Sequence, residues 1–415
     1  MTELNINPQP ISILFTHYGD NWIRGSERCL LDLLAHLDKA KFTAVLWCNQ
    51  QIMVDQAHKL GIEVYRSDFP LLLGWKAPRF DFPAFIGLVK QALKLIDKHQ
   101  IKLIHANSAA PCQWLNFAAR KRNTPLICHL HSIYQLRDRL TLGLHQVPML
   151  IGVSRYVLGE LQRDKMPDAR MQVIANGIDT QKLLAQKKRD LRQTLAINPG
   201  DFVLATVGSL IKRKGVDLII AALAQLRAKQ LPVHLLIIGE GPEKKNLKQQ
   251  IQRLGLQQNV TLLGEQENVI AILRGSADLF VSAAREEAFG LVLAEASIAQ
   301  LAIVAPAIGG ISDVVLDGQS GTLVPSEDVD ALSKAIHTLY LCPARCHAMG
   351  KAGREHVLRN FSIEQNTRHF EQLYKQMVSN GNNCYKNIVY KNSGLRLSLS
   401  NIYKRLCKKG APYAG

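Results

Sequence analysis

The 415-residue chain carries 51 Lys and Arg against 34 Asp and Glu, a formal net charge of +17, with 47% hydrophobic and 20% charged residues. That apolar content excludes a disordered chain, and the length predicts two domains of roughly 150 to 200 residues each. The excess charge asks for an acidic partner; with 6% aromatics and no stretch interleaving them with basic residues, no nucleic acid is expected, which leaves an anionic membrane surface or a phosphorylated small molecule.

The opening "MTELNINPQP" has neither the basic start nor the apolar run of a secretory signal, so a cytoplasmic chain is expected. The longest apolar candidate, "LTLGLHQVPMLIGV", is broken by His145, Gln146 and Pro148, short of the roughly 18 to 20 residues needed to span a bilayer. Any membrane contact is therefore expected from one side, on the inner face of the plasma membrane. Cys342 and Cys346 in "CPARCH" lack the second ligand pair of a structural zinc site, and the scattered cysteines read as reduced thiols.

Short apolar runs alternate with helical-period segments, the pattern of β-α-β units around parallel sheets. "ISILFTHYG", "FTAVLWC", "IKLIHAN", "TPLICHLH", "PMLIGVS" and "MQVIANG" predict a first strand series, with "SERCLLDLLAHL" as a helix after the first of them. The charged stretch "TQKLLAQKKRDLRQTLAINPGD" reads as a linker and connecting helix. "FVLATVG", "VHLLIIGEG", "VTLLG", "ADLFVSA", "LAIVAP" and "GTLVP" then form a second series. The expected fold is α/β, two facing Rossmann-like domains with a cleft between them. Their bounds are 1–185 and 186–360, with a helix over 361–378 packing back on the first and a basic tail over 379–415. That tail is read either as disordered or as an anchor for anionic lipid, since "LRLSLSNIYKRLCKK" mixes leucines and cations.

In open α/β sheets ligands bind outside the carboxyl ends of the strands, so the loops there hold the candidates. Gly25, before the first helix, suits either a phosphate at a helix start or an ordinary turn with Ser26 as cap. Lys212, Arg213 and Lys214 follow "VGSL", where a cation can neutralise a diphosphate; Lys214 is the first choice and Arg213 a secondary one. In "AAREEAFGLVLAEAS", Glu287 lies in a loop and Glu295 inside a helix, too far apart to share a proton. Two separated carboxylates can grip hydroxyls of two sugars without shifted pKa values, and the amides of Phe289, Gly290 and Leu291 at the helix start suit an anion. Gly309 and Gly310 let backbone approach a ligand or form a plain turn. His131, at the end of "LICHLH", is placed to reach a ligand, with His129 behind it.

Together these stretches resemble family 4 of the retaining glycosyltransferases over most of residues 11 to 377. The most specific mark is the Glu-x7-Glu motif, matched by "EAFGLVLAE" from Glu287 to Glu295; "GSE" at 25–27, "HAN" at 105–107, "NGID" at 176–179, "KG" at 214–215 and "GGISD" at 309–313 support it. The resemblance implies a GT-B fold, with an acceptor-side first domain and a donor-side second. It also implies transfer of a hexose from a nucleotide-diphosphate sugar of UDP or GDP type, without metal or other cofactor, to a saccharide or lipid-linked saccharide in bacterial surface polysaccharide synthesis. Glu287 would hold the donor sugar, Glu295 the ribose, and Lys214 the diphosphate with Gly25 and the amides near Gly290; His131 would touch the transferred sugar. Ser209 departs from the pattern, standing where the family often has a phosphate-binding arginine, and Ala288 replaces a common glycine.

Rival readings are a sugar-nucleotide epimerase or hydrolase on the same fold, and a non-catalytic sugar-nucleotide binding protein, for which Ser209 is the motive. "IIGEGPEKKN" lacks the third glycine of a dinucleotide fingerprint, and Asp328 and Asp330 in "EDVDAL" read as helix-start residues rather than metal ligands.

Overall fold

The computed structural model describes residues 9–75, 77 and 79–385. The first half builds a parallel sheet from β1 (Ile11–His17), β2 (Phe42–Cys48), β3 (Glu63–Arg66), β4 (Leu103–Ala106), β5 (Leu126–Leu130), β6 (Met149–Gly152) and β7 (Met171–Val173). Its helices are α1 (Gly25–His36), α2 (Gln51–Lys59), α3 (Phe82–Lys98), α4 (Cys112–Arg122), α5 (Leu136–Thr141), α6 (Arg155–Arg163) and α7 (Thr180–Ala185). The second half builds another from β8 (Phe202–Val207), β9 (Val233–Ile238), β10 (Val260–Gly264), β11 (Leu279–Val281), β12 (Ala302–Pro306) and β13 (Gly321–Val324). Its helices are α8 (Val216–Ala228), α9 (Lys244–Arg253), α10 (Val269–Ser276), α11 (Leu291–Ile298), α12 (Ile311–Val314), α13 (Val329–Leu341), α14 (Pro343–Asn360) and α15 (Ile363–Asn380).

The strand orders are β3-β2-β1-β4-β5-β6-β7 and β10-β9-β8-β11-β12-β13, all pairs parallel. β5, β9 and β12 are buried at every residue, as sheets covered on both faces require, which is why their sequences are unbroken apolar runs. β3 is a short edge strand, "EVYR", with exposed ends and no apolar run to announce it. Each sheet reverses direction of strand order once, between β1 and β4 and between β8 and β11. Such a switch point opens a crevice at the carboxyl ends, and there a ligand site belongs.

α15 leaves the second sheet's side and returns to the first. Phe370, Leu373, Tyr374 and Met377 join the core formed by Ile13, Phe15 and Leu30, and Tyr374 Oη hydrogen-bonds His105 Nδ1 at 2.7 Å. The helix runs to Asn380 and a 3-10 turn follows over Gly381–Tyr385, where Tyr385 Oη donates to the carbonyl of Thr124 at 2.8 Å. The basic tail expected from 379 therefore begins as folded chain, and its cationic residues from Lys386 onward lie outside the described residues. The charged linker is also docked rather than free: after α7, Leu191 N donates to Ser276 Oγ at 2.9 Å and Arg192 pairs with Asp278 at 2.8 Å. Asp328 caps α13, its carboxylate accepting from Ala331 N at 2.8 Å.

Candidate active site

The turn after β8 is shaped by Gly215, whose φ is +65° and where a Cβ would meet the Ala283 carbonyl oxygen at 1.8 Å. Only glycine lets the Lys212–Lys214 turn lie directly on the loop after β11. That contact brings Lys214 Nζ to 2.5 Å from Glu287 Oε2, with both side chains mostly enclosed. The two flank a pocket over the switch point that Thr206, Gly208, Ser282 and Val292 also line. Sequence reasoning gave Lys214 and Glu287 separate parts of a ligand; in the structure they first hold each other. Ser209 lies half-buried in the same turn, its carbonyl accepting from Ile211 N.

Arg285 was missed in the sequence and organises these two loops. Its guanidinium makes a bidentate pair with Asp217 at 2.9 and 2.7 Å, reaches Glu327 at 2.7 Å, and donates to the Lys212 carbonyl at 2.6 Å. Its backbone N–H donates to the Arg213 carbonyl at 2.8 Å. Arg213 completes the stitch by donating from Nη1 to the Glu286 carbonyl at 3.0 Å, so it ties loop to loop. Gly309, with φ +56°, sits where a Cβ would come within 1.9 Å of the Glu287 carbonyl oxygen, and Gly310 N donates to that oxygen at 3.0 Å. Of the two readings left open for this glycine pair, the structure favours packing: it seats the Glu287 loop.

Phe289 is buried and its ring packs edge-on against Phe361, so what it can offer a ligand is backbone. Gly290, at φ +103°, is the N-cap of α11, which starts at Leu291. Opposite, α1 starts at Gly25, and a Cβ added there would lie 3.2 Å from Leu291 Cδ1. The N-termini of α1 and α11 thus lie against each other, Gly290 following Glu287 by three residues, and each brings the positive end of its dipole to one place. Ser154 Oγ, from the N-cap of α6, donates to the Ala288 carbonyl at 2.6 Å and links the two halves across the cleft.

The first half contributes a buried chain of polar groups. His17, ending β1, bonds through Nε2 to Glu27 Oε1 at 2.9 Å. Asn107, after β4, holds His17 Nδ1 at 3.1 Å and donates to the Ser26 carbonyl at 3.1 Å. With its amide so oriented, Asn107 Oδ1 accepts from His131 Nε2 at 3.1 Å, which leaves His131 Nδ1 as an acceptor. Burial alone would raise the Glu27 carboxyl, but the hydrogen bond and charge of His17, with backbone donors, bring it down to about 2. Burial, reinforced by His129 and His17, holds His131 well below the ordinary histidine range, so it acts as a neutral ring. His129 lies beneath it, the rings tilted by 46° with centres 4.1 Å apart, and is buried in the core. The expected cap also moves: Arg24, not Ser26, is the N-cap of α1, with Arg24 N donating to Glu27 Oε2 at 3.2 Å.

Glu295 departs from expectation. It lies half-buried on α11, facing α1; burial pushes its carboxyl up to about 7, Arg28 opposing and Asp32 adding to the rise.

Residues 23–182 match the model of Glycosyltransferase Family 4, and residues 187–356 that of Glycosyl transferases group 1. The chain is 30% identical over 332 residues to a GDP-mannose-dependent alpha-(1-6)-phosphatidylinositol monomannoside mannosyltransferase of Mycolicibacterium smegmatis, covering 76% of this chain and 84% of that protein. It is 24% identical over 316 residues to N-acetyl-alpha-D-glucosaminyl L-malate synthase of Bacillus anthracis, covering 73% and 82%. Among solved structures, Anabaena HepE in complex with UDP superposes with a TM-score of 0.75 at 23% identity, covering 88% of this chain and all of that one, which shows the shared GT-B fold. Two facing parallel-sheet halves and this likeness carry one conclusion: the chain is a glycosyltransferase and belongs to glycosyltransferase family 4.

Proposed function

We propose that the enzyme transfers a hexose, with retention at the anomeric carbon, from a UDP or GDP sugar to a saccharide or lipid-linked saccharide acceptor in bacterial surface polysaccharide synthesis. The observation that carries the reading is the Lys214–Glu287 pair at the second sheet's switch point, with the start of α11 close by and the start of α1 against it. A diphosphate draws Lys214 to its oxygens, with the α1 and α11 amides around it. The released Glu287 then accepts hydrogen bonds from sugar hydroxyls, and Glu295 those of the ribose. Neutral His131 accepts through Nδ1 from the sugar at its reacting face. The acceptor oxygen bonds to the anomeric carbon on the face the diphosphate leaves, and the acceptor proton passes to a departing diphosphate oxygen. These steps use no metal. The Mycolicibacterium relative's name, with a phosphatidylinositol mannoside as acceptor, and the charge of +17 support work at the inner face of the plasma membrane.

The test is product analysis by NMR after incubating the purified enzyme with UDP and GDP hexoses and a panel of lipid-linked and free saccharides. The reading predicts a product with the donor's anomeric configuration, lost on Glu287→Gln. An inverted product, or donor turnover without any acceptor, contradicts it; the latter outcome favours the hydrolase or epimerase.

A further inference from the structure

The loop between β1 and α1 is held by bonds of its own. Gly19 and Asn49 exchange two hydrogen bonds, of 3.1 and 2.9 Å, and Asn21 Oδ1 accepts from Ile52 N at 2.9 Å. Gln50 Nε2 donates to the Asp20 carbonyl, as does Trp22 N at 2.8 Å, and Arg24 N donates to Glu27 Oε2 at 3.2 Å. Two large side chains of this fixed loop face water. Trp22 is 42% exposed, and the Arg24 guanidinium lies over its ring, 3.8 Å from the centroid. Stacking on an aromatic face orients a guanidinium while its edge donors stay open.

Those donors meet no counter-charge. Arg24 is exposed, and among the described residues no carboxylate pairs with it. Glu27, three residues on, is fully engaged: Oε1 accepts from His17 and Gln50, and Oε2 from Ser26 Oγ and the Arg24 backbone. Other arginines of the same half behave differently, for Arg122 and Arg139 close their forks on Asp97 and Asp164. Arg24 also stands at the seam of the two halves. It precedes Gly25, where an added Cβ would lie 3.2 Å from Leu291 Cδ1 at the start of α11.

We infer that Arg24, oriented by Trp22, binds an anionic group of the acceptor, a phosphate or a carboxylate on the sugar or its linkage, and so selects acidic acceptors over neutral ones. The planar fork matches two oxygens of either group, and the exposed indole offers an apolar surface to the sugar that carries it. The donor diphosphate is met from the second half by Lys214, whereas Arg24 belongs to the first. The inference deepens the proposed function and rests on its reading of the first half as the acceptor's side.

The test uses the full chain saturated with UDP or GDP, whichever binds, so that the Lys214 side is occupied. Binding of glucose, glucose 6-phosphate and glucuronate is then followed by NMR titration. The wild type is expected to bind one or both acidic sugars about tenfold or more tightly than glucose, the two arms showing whether phosphate or carboxylate fits. Arg24→Gln should remove that preference, and Trp22→Ala, which takes away the platform, should reduce it about threefold. Calorimetry with nucleotide hexoses should give Arg24→Gln the affinity of the wild type. This reads the donor site separately: a wild type that binds no nucleotide sugar defeats the transferase reading, whereas loss of acid preference alone defeats the acceptor one. A wild type without preference for an acidic sugar overturns the inference, as does a preference that survives Arg24→Gln. Donor affinity that falls in Arg24→Gln while the acid preference persists also overturns it, and gives the guanidinium to the diphosphate.

Discussion

The two crevices of this enzyme are built by different rules. Over the second sheet, the site comes from two loops that each carry their chemistry in a short stretch: Lys214 with Gly215, and Glu287 with Gly290 opening α11. Over the first, it comes from single residues at the ends of three strands, with His17 and Asn107 separated by 90 positions and joined only when β1 and β4 pair. A phosphate is gripped by amides and a cation that one turn can supply. An oriented neutral histidine needs a relay of partners, and parallel pairing takes these from distant sequence.

The largest effect expected from this contrast lies at the local pair. Lys214→Ala and Glu287→Gln should each lower the transfer rate about 100- to 1000-fold, measured at saturating donor, with the thermal midpoint little changed. If only one of the two matters, the exchange of partners between Lys214, Glu287 and the donor is wrong.

Next comes the dispersed relay. Asn107→Ala removes the middle of the Glu27–His17–Asn107–His131 chain and leaves buried nitrogens without partners. It should lower kcat roughly tenfold or more and destabilise the fold by about 1–3 kcal/mol by denaturant unfolding. A loss of stability with kcat intact would make the relay structural alone.

The same contrast explains what the sequence disclosed. Both strand series, apart from β3, the return of a late helix and the loops that carry Lys214 and Glu287 were legible because apolar runs, glycines and cations sit within a few residues of one another. His131 was legible as a strand end, but not Asn107 as the group that sets its tautomer. Arg285 stood in full view in "AAREEAFG" and was passed over, because its bidentate partner, Asp217, is 68 positions away and nothing near Arg285 announces it. Glu295 was read as a hydroxyl contact that needs no shifted pKa, and its rise was hidden for the same reason: burial and the Asp32 charge from α1 act on it across the cleft.

Arg285 gives a smaller test. Arg285→Lys keeps the charge but cannot reproduce the fork on Asp217, and should raise donor KM about tenfold while kcat falls less. An unchanged KM would mean that the two donor loops hold their places without it.

The smallest effect is the pH dependence of Glu295. Its carboxyl keeps a proton up to about 7 in the folded chain, against an ordinary value of 4.5, so between these pH values the folded state binds more protons than the unfolded. Stability contributed by that proton is lost as pH rises through the window, and Glu295→Gln should be the more stable protein at pH 8 in thermal unfolding. A variant no more stable there would return Glu295 to an ordinary solvated residue.

Calorimetric titration of wild type and Lys214→Ala with UDP and GDP hexoses tests the central claim most directly. The account predicts that the wild type binds one nucleotide class and that the variant binds it at least about tenfold more weakly. Equal affinity in the two proteins would contradict it, because the diphosphate would then lie away from the pair on which the site is built.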